Sequence, residues 1–264
     1  VLRILSALVL LPVLLGAIWW SFWTTFALGI VAAALAFVEY VALAGRIGAR
    51  VPKTLAGVAT LAAAAAMAWP GMPGGILIDV ALLSAVVVIS ASALSAPAGS
   101  RPAVVEAATS IFPALYIGLP IGAIVALRDA PGTEALLLLV AVVILSDTGQ
   151  YYTGRLFGTR PLAPSISPGK TVEGAIGGFV AGAAAAMIIG RWWLSAVGPL
   201  PRALLGATVA AAGIAGDLFE SQLKRNAGVK DSSALIPGHG GVLDRIDSWL
   251  FAGPIYYVLV RYIL

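Results

Sequence analysis

Apolar runs of roughly membrane-spanning length recur along almost the whole chain, at about 4–20, 22–44, 54–69, 76–96, 108–127, 135–153, 174–192, 203–223 and 249–263, the last reaching back toward 243. A helix needs about 20 apolar residues to cross the hydrocarbon of a bilayer, and backbone placed there must satisfy its own hydrogen bonds. The expected fold class is therefore all-α: a polytopic transmembrane helix bundle of about nine spans. Only 11% of the 264 residues are charged against 60% hydrophobic, and the mean hydropathy is +1.00, which excludes an ordinary water-soluble domain. The first run begins at Arg3 and superficially resembles a signal sequence. Eight more runs follow it with no small-residue cleavage site between, so it is expected to be retained.

Several runs are rich in Ala and Gly, notably Ala32 to Ala34, Ala62 to Ala66 and Gly177 to Ala186. Small side chains let backbones approach closely where no hydrophobic effect drives helices together, so a tight bundle is expected. Orientation follows from the basic residues in short loops. With nine spans, the amino-terminal side carries Arg3, Arg46, Arg50, Lys53, Arg101, Arg155, Arg160, Lys170, Lys224, Arg225, Lys230 and Arg245. The other side has Arg128, Arg191, Arg202 and Arg261. That asymmetry predicts a cytoplasmic amino terminus and cytoplasmic charged loops. Cysteine is absent, so any metal must bind oxygen or the lone imidazole of His239.

No soluble domain and no internal repeat is visible; residues 1–264 are expected to form a single transmembrane domain. Residues 1–134 supply mainly scaffold spans, and 135–264 carry organised polar clusters. Glu39 and Asp79 lie in or near spans of the first part; the plainer reading of Glu39 is a carboxyl satisfied by partners near a helix end, and it is not taken as a site residue.

The first polar cluster is Ser146-Asp147-Thr148-Gly149-Gln150-Tyr151-Tyr152, at the end of the sixth run. Asp147 there suits a cation or a phosphate-bound metal, while a polar helix end with an aromatic belt is the plainer reading. The second is Pro164 to Gly174. Gly169-Lys170-Thr171 looks like the tail of a P-loop, but the required first glycine falls at Pro164 and no strand precedes it, which rules out that reading. What remains is Lys170 with the hydroxyls of Ser167 and Thr171 before a helix amino terminus. Such a terminus attracts anions; alternatively Thr171 or Ser167 caps the helix and Lys170 is solvated.

The third cluster is the densest: residues 217–247 hold nine charged side chains and the only histidine. Asp217, Glu220, Ser221 and Lys224 stand at i, i+3, i+4 and i+7, so they share one helical face. Arg225, Lys230, Asp231 and the glycine-rich turn Pro237-Gly238-His239-Gly240-Gly241 follow, and Asp244 and Asp247 again share a face. Carboxylates from two helix ends make an all-oxygen donor set for a hard cation such as Mg²⁺, with Lys and Arg placed for phosphate oxygens. The alternative is a structural salt-bridge network, which is costly to bury unless pairing is nearly complete.

Ser221-Gln222-Leu223-Lys224-Arg225, Lys230-Asp231, His239-Gly240-Gly241 and Asp244-Arg245-Ile246-Asp247 match, in order and spacing, the signature of the phosphatidate cytidylyltransferases, also called CDP-diacylglycerol synthases. The resemblance extends over about residues 140 to 255, taking in Ser146-Asp147-Thr148-Gly149 and the Ser167–Gly174 loop. One departure is Gly169, where many relatives have a second lysine beside Lys170, which puts one phosphate contact in doubt. The resemblance implies transfer of a cytidylyl group from CTP to phosphatidic acid, giving CDP-diacylglycerol and pyrophosphate. It places the reaction at the cytoplasmic face of the inner cell membrane and makes 135–264 the catalytic half.

It also implies Mg²⁺, with a monovalent cation such as K⁺, and a homodimer; no nucleic-acid partner is expected. Asp217 and Asp244 are expected as main metal ligands, with Asp147 and Asp247 at a second cation or in support. Lys170, Lys224, Arg225 and Lys230 are expected on phosphate oxygens, and Ser167, Thr171 and Ser221 at the substrate. Asp231 is expected to orient a lysine or bind ribose. His239 either donates to a phosphate or braces the glycine turn. A transporter of an anionic solute, a CDP-alcohol phosphotransferase and a purely structural scaffold are the competing readings. The first should show broken spans near mid-membrane, and the second lacks its D-G-x-x-A-R motif here.

Overall fold

A computed structural model describes residues 2–70, 74–93, 103–236, 238 and 240–264. Among the described residues the fold is all-α apart from one short hairpin and an isolated bridge between Ile236 and Gly240, and the chain resolves into two compact units, residues 1–126 with 226–245 and residues 127–225 with 246–264.

The first unit begins with α1 (Leu2–Trp20) and α2 (Phe22–Arg46), separated at Ser21 although the sequence around it stays apolar. The break is a capping box: Ser21 Oγ accepts from Thr24 N at 3.1 Å, and Ser21 N donates to Thr24 Oγ1 at 3.1 Å. α3 (Lys53–Ala68) and α4 (Gly74–Ala93) follow. Then α5 (Ala103–Pro113), a π-helical turn (Ala114–Gly118) and α6 (Leu119–Asp129) form one continuous helix. Pro113, lacking an N–H, immediately precedes the π turn, as helix irregularities at proline usually have it.

Ala59, Ala63, Ala85, Ile89 and Ala114 form a buried cluster, and Gly118 packs on the Thr60 carbonyl so closely that a Cβ would collide with it. Tyr40 OH donates to the Thr109 carbonyl at 2.8 Å, fastening α2 to α5. Trp19, Trp20, Trp23 and Trp69 cluster where α1 ends, α2 begins and α3 ends, all exposed, with Trp23 and Trp69 edge to face at 6.1 Å. An aromatic girdle of this kind suits a membrane interface. A groove of about 790 Å³, walled by Phe37, Val41 and Ile89 with Arg50 and Lys53 at its rim, also belongs to this unit and contains none of the expected site residues.

The second unit contains α7 (Thr133–Phe157), a hairpin of β1 (Pro161–Ala163) and β2 (Ser167–Thr171), α8 (Val172–Trp193), α9 (Pro199–Asn226) and α10 (Leu243–Val258) from Ile246 on, the last continuing as a π turn (Leu259–Ile263). Its helices touch through glycine. A Cβ on Gly149 of α7 would meet Ala181 Cβ at 2.5 Å, and one on Gly177 of α8 would strike Thr153. Gly206 of α9 has no room against Gly182 and Ala186 of α8, nor Gly216 against the Asp247 carbonyl and Phe251 of α10. Backbone-to-backbone approach, rather than large side chains, is what these helices use to pack.

Among the described residues, Phe22–Arg46, Ala103–Asp129, Thr133–Phe157, Val172–Trp193 and Pro199–Asn226 are long and apolar enough to cross a membrane, while Leu8–Trp20, Lys53–Ala68 and Ile76–Ser92 are shorter apolar helices. The helical segments fall on the apolar runs read from the sequence, but length and apolarity establish five candidate spans rather than nine.

Because overpacking a tight contact costs about 1–3 kcal/mol, Gly177→Leu should lower the midpoint of thermal unfolding in detergent by several degrees. Gly16→Leu, at a position with open space around it, should leave that midpoint unchanged.

Candidate active site

In the second unit, four elements bring four charged side chains together. Asp147 comes from α7, Lys170 from β2, Asp217 from α9 and Asp247 from the second turn of α10. The Lys170 ammonium is ion-paired with Asp217 Oδ2, and its side chain is only 14% exposed, so it is not the solvated lysine of the plainer reading. Asp147, Asp217 and Asp247 lie close enough to act on one another electrostatically, with Lys170 as counter-charge. Asp247 Oδ1 also accepts from Ser248 N at 2.7 Å.

The hairpin that delivers Lys170 is fastened at both ends. Thr171 caps α8, its Oγ1 accepting from Gly174 N at 3.1 Å, and Gly154 and Gly158 at the end of α7 leave space for it. Thr171 thus serves as the cap offered by the plainer reading, and the anion-attracting amino terminus of α8 lies next to Lys170. Glu173, in the first turn of α8, accepts from Thr159 N (3.1 Å), Thr159 Oγ1 (3.0 Å), Arg160 N (3.2 Å) and Arg160 Nε (3.0 Å). Arg225 Nε, at the end of α9, donates to the Ile166 carbonyl at 3.2 Å. The hairpin itself was not foreseen; its loop was read without strands.

The helical face read on α9 is present but internally engaged. Ser221 Oγ reaches Asp217 Oδ1 at 3.5 Å, and Lys224 Nζ pairs at 2.6 Å with Glu220, which is fully buried. Ser167 opens β2, and Lys230 and Asp231 are exposed in the loop after α9. His239 lies outside the described residues.

Asp244 belongs to the first unit, where it is 7% exposed. Its Oδ2 accepts from Ser232 N (2.8 Å), Ser232 Oγ (2.6 Å) and Gly241 N (2.8 Å). Beside it, Glu39 of α2 is 4% exposed and accepts from Ser232 Oγ (2.9 Å), Ser233 Oγ (2.8 Å), Val242 N (2.9 Å) and Leu243 N (2.7 Å). Glu39 is thus the partner-satisfied carboxyl near a helix end that the plainer reading described. Its partners, roughly 200 residues along the chain, were not legible. The available signal was an acid inside an apolar run, which marks a residue without naming its partner.

The cluster in the second unit fits a hard cation. Its donors are all oxygen, and three carboxylates face one ammonium. Among the described residues no three acid or imidazole side chains form a ready metal cage. A metal there would take one or two carboxylates and complete its shell with water and substrate phosphates, the usual habit of Mg²⁺.

The sequence model of the cytidylyltransferase family matches residues 1–263. A phosphatidate cytidylyltransferase of Helicobacter pylori strain J99 is 38% identical over 186 residues, 70% of this chain and 66% of the relative. One of Pseudomonas aeruginosa is 43% identical over 139 residues, 52% of this chain and 51% of the relative. The uncharacterized protein YnbB of Escherichia coli K12 is 42% identical over 131 residues, 50% of this chain and 44% of the relative. The chain therefore spans about half to two thirds of the length of the curated relatives it matches.

If Glu173 pins the hairpin as its hydrogen bonds indicate, Glu173→Ala should expose residues 158–171 to limited proteolysis several-fold faster than in the unaltered protein. Cleavage elsewhere should keep its rate.

Proposed function

The chain belongs to the cytidylyltransferase family, and we propose that it transfers the cytidylyl group from CTP to phosphatidic acid, giving CDP-diacylglycerol and pyrophosphate. The observation that carries this reading is the convergence of Asp147, Lys170, Asp217 and Asp247 from four elements beside the amino terminus of α8. The curated relatives named phosphatidate cytidylyltransferase support the choice of substrates.

In the proposed reaction a phosphate oxygen of the lipid attacks the α-phosphorus of CTP. A new phosphorus–oxygen bond forms, the bond from the α-phosphorus to the bridging oxygen breaks, and pyrophosphate leaves with the electron pair. A phosphate monoester is already an anionic nucleophile, so the barrier lies mainly in bringing anions together. One or two of Asp147, Asp217 and Asp247 would hold Mg²⁺, which when bound supplies charge neutralisation at the phosphates. Lys170, poised at the α8 terminus, contacts phosphate by exchanging its partner Asp217 for substrate oxygens. Lys224, Arg225 and Lys230 are assigned to further phosphate oxygens, Ser167, Thr171 and Ser221 to the substrate's surroundings, and Asp231 to a lysine or the ribose. Asp244, expected as a main metal ligand, is assigned in this proposal as the acid that closes the Ser232–Gly241 loop.

The proposal extends to topology. Nine helices cross the cell membrane, the charged loops face the cytoplasm, and lipid and nucleotide meet at that face. The distribution of Lys and Arg supports this, as does the tryptophan girdle. A monovalent cation and a homodimer are supported by the family resemblance.

Purified protein given phosphatidic acid and labelled CTP should place label in lipid only with Mg²⁺. Asp217→Asn and Asp247→Asn should each lower the rate by about a hundredfold or more, the scale on which one lost charge-stabilising contact acts, and Asp244→Asn, which loosens a loop rather than a charge-stabilising contact, should lower it by about tenfold. Metal-independent product overturns the assigned role of the acids. Solute uptake into liposomes without nucleotide turnover replaces the reading with a transporter.

A further inference from the structure

Glu39 has no place in the proposed chemistry, yet it is among the most completely satisfied acids described. Four donors reach its two oxygens: Ser233 Oγ and Val242 N on Oε1, Leu243 N on Oε2, and on Oε2 also Ser232 Oγ, whose single proton is shared with Asp244. Two are hydroxyls from the loop after α9 and two are backbone N–H groups at the start of α10. A carboxylate at a helix amino terminus satisfies donors that have no partner within the helix and complements the helix dipole.

The same loop is held a second time by Asp244, through Ser232 and Gly241. Ser232 Oγ lies within hydrogen-bond distance of both acids, which makes Glu39, Ser232 and Asp244 one connected unit. The fit is close enough that a Cβ on Gly241 would collide with Ser232 Oγ and Glu39 Oε2. Between these fastenings the chain turns through Gly238 (φ +75) and Gly240 (φ +80), closed by Ile236 N donating to the Gly240 carbonyl at 2.8 Å. The segment so held runs from Ser232 to Leu243, directly after Lys230 and Asp231.

We infer that Glu39 is a positioning residue for cytidylyl transfer: by clamping Ser232, Ser233 and the first turn of α10, it sets where Asp244 and the Lys230–Ser233 stretch stand when substrate binds. This rests on the reaction proposed above. A carboxylate is needed because both oxygens accept. A glutamine of the same shape would turn an N–H₂ toward two donors and leave one side of the clamp repulsive.

The test compares wild type, Glu39→Gln, Ser232→Ala and the double variant by steady-state transfer from labelled CTP, together with thermal unfolding and hydrogen exchange. The clamp predicts that Glu39→Gln stays folded but loses about tenfold or more in kcat/KM. Exchange protection should fall in 230–243 and hold elsewhere. In the Ser232→Ala background the same substitution should cost clearly less, because both changes break one connected unit. Unaltered kinetics per folded molecule, or strictly additive losses, overturn the inference while leaving the reaction standing. Wild type that makes no CDP-lipid overturns both. Should Glu39→Gln fail to accumulate, Ser233→Ala removes one donor alone: a loss of about threefold in kcat/KM with local exchange in 230–243 supports the clamp, and wild-type behaviour overturns it.

Discussion

Mutual repulsion among Asp147, Asp217 and Asp247 is the constraint around which the second unit is organised. Carboxylates brought this close between apolar helices are unfavourable unless positive charge stands among them, and here the Lys170 ammonium does so through its pair with Asp217. In the proposed reaction the surplus of acid over base would receive a cation and the neighbouring amino terminus of α8 a phosphate. A cation site beside an anion site is what joining two anionic substrates demands.

Holding such a cluster requires helices that do not give way. Glycines at 149, 177, 182, 206 and 216 let α7, α8, α9 and α10 come together at backbone distance, so each acid is carried by an element with little freedom to retreat. The hairpin bearing Lys170 is the least helical part of the unit, and it is correspondingly the part most heavily pinned, by Thr171, Glu173 and Arg225. In the first unit Ser232, Ser233, Gly241 and Val242, which lie outside any helix, are fixed by two buried carboxylates, Glu39 and Asp244.

What was legible in the sequence followed from local periodicity. Apolar runs located the helices, the i, i+3, i+4, i+7 spacing located the face of α9, and the polar clusters picked out Asp147, Lys170, Asp217 and Asp247, which the fold brings together from three separate stretches. What was hidden depended on partners distant along the chain. Spacing alone does not say that Lys224 is paired with a buried Glu220, that Arg225 reaches the Ile166 carbonyl, or that Asp244 closes a loop. Least visible was Glu39, since an acid in an apolar run is conspicuous but its four donors lie about 200 residues away. The hairpin escaped notice because a strand of three residues has no periodicity to detect.

The central proposal is that a divalent cation binds within the cluster of Asp147, Asp217 and Asp247. The most direct measurement is Fe²⁺-directed backbone cleavage of the purified protein in the presence of ascorbate and peroxide, with the cut positions mapped by mass spectrometry. The account predicts cuts clustered around residues 147, 217 and 247 together, suppressed by excess Mg²⁺. Cuts confined to one of these stretches, or a pattern indifferent to Mg²⁺, would contradict it.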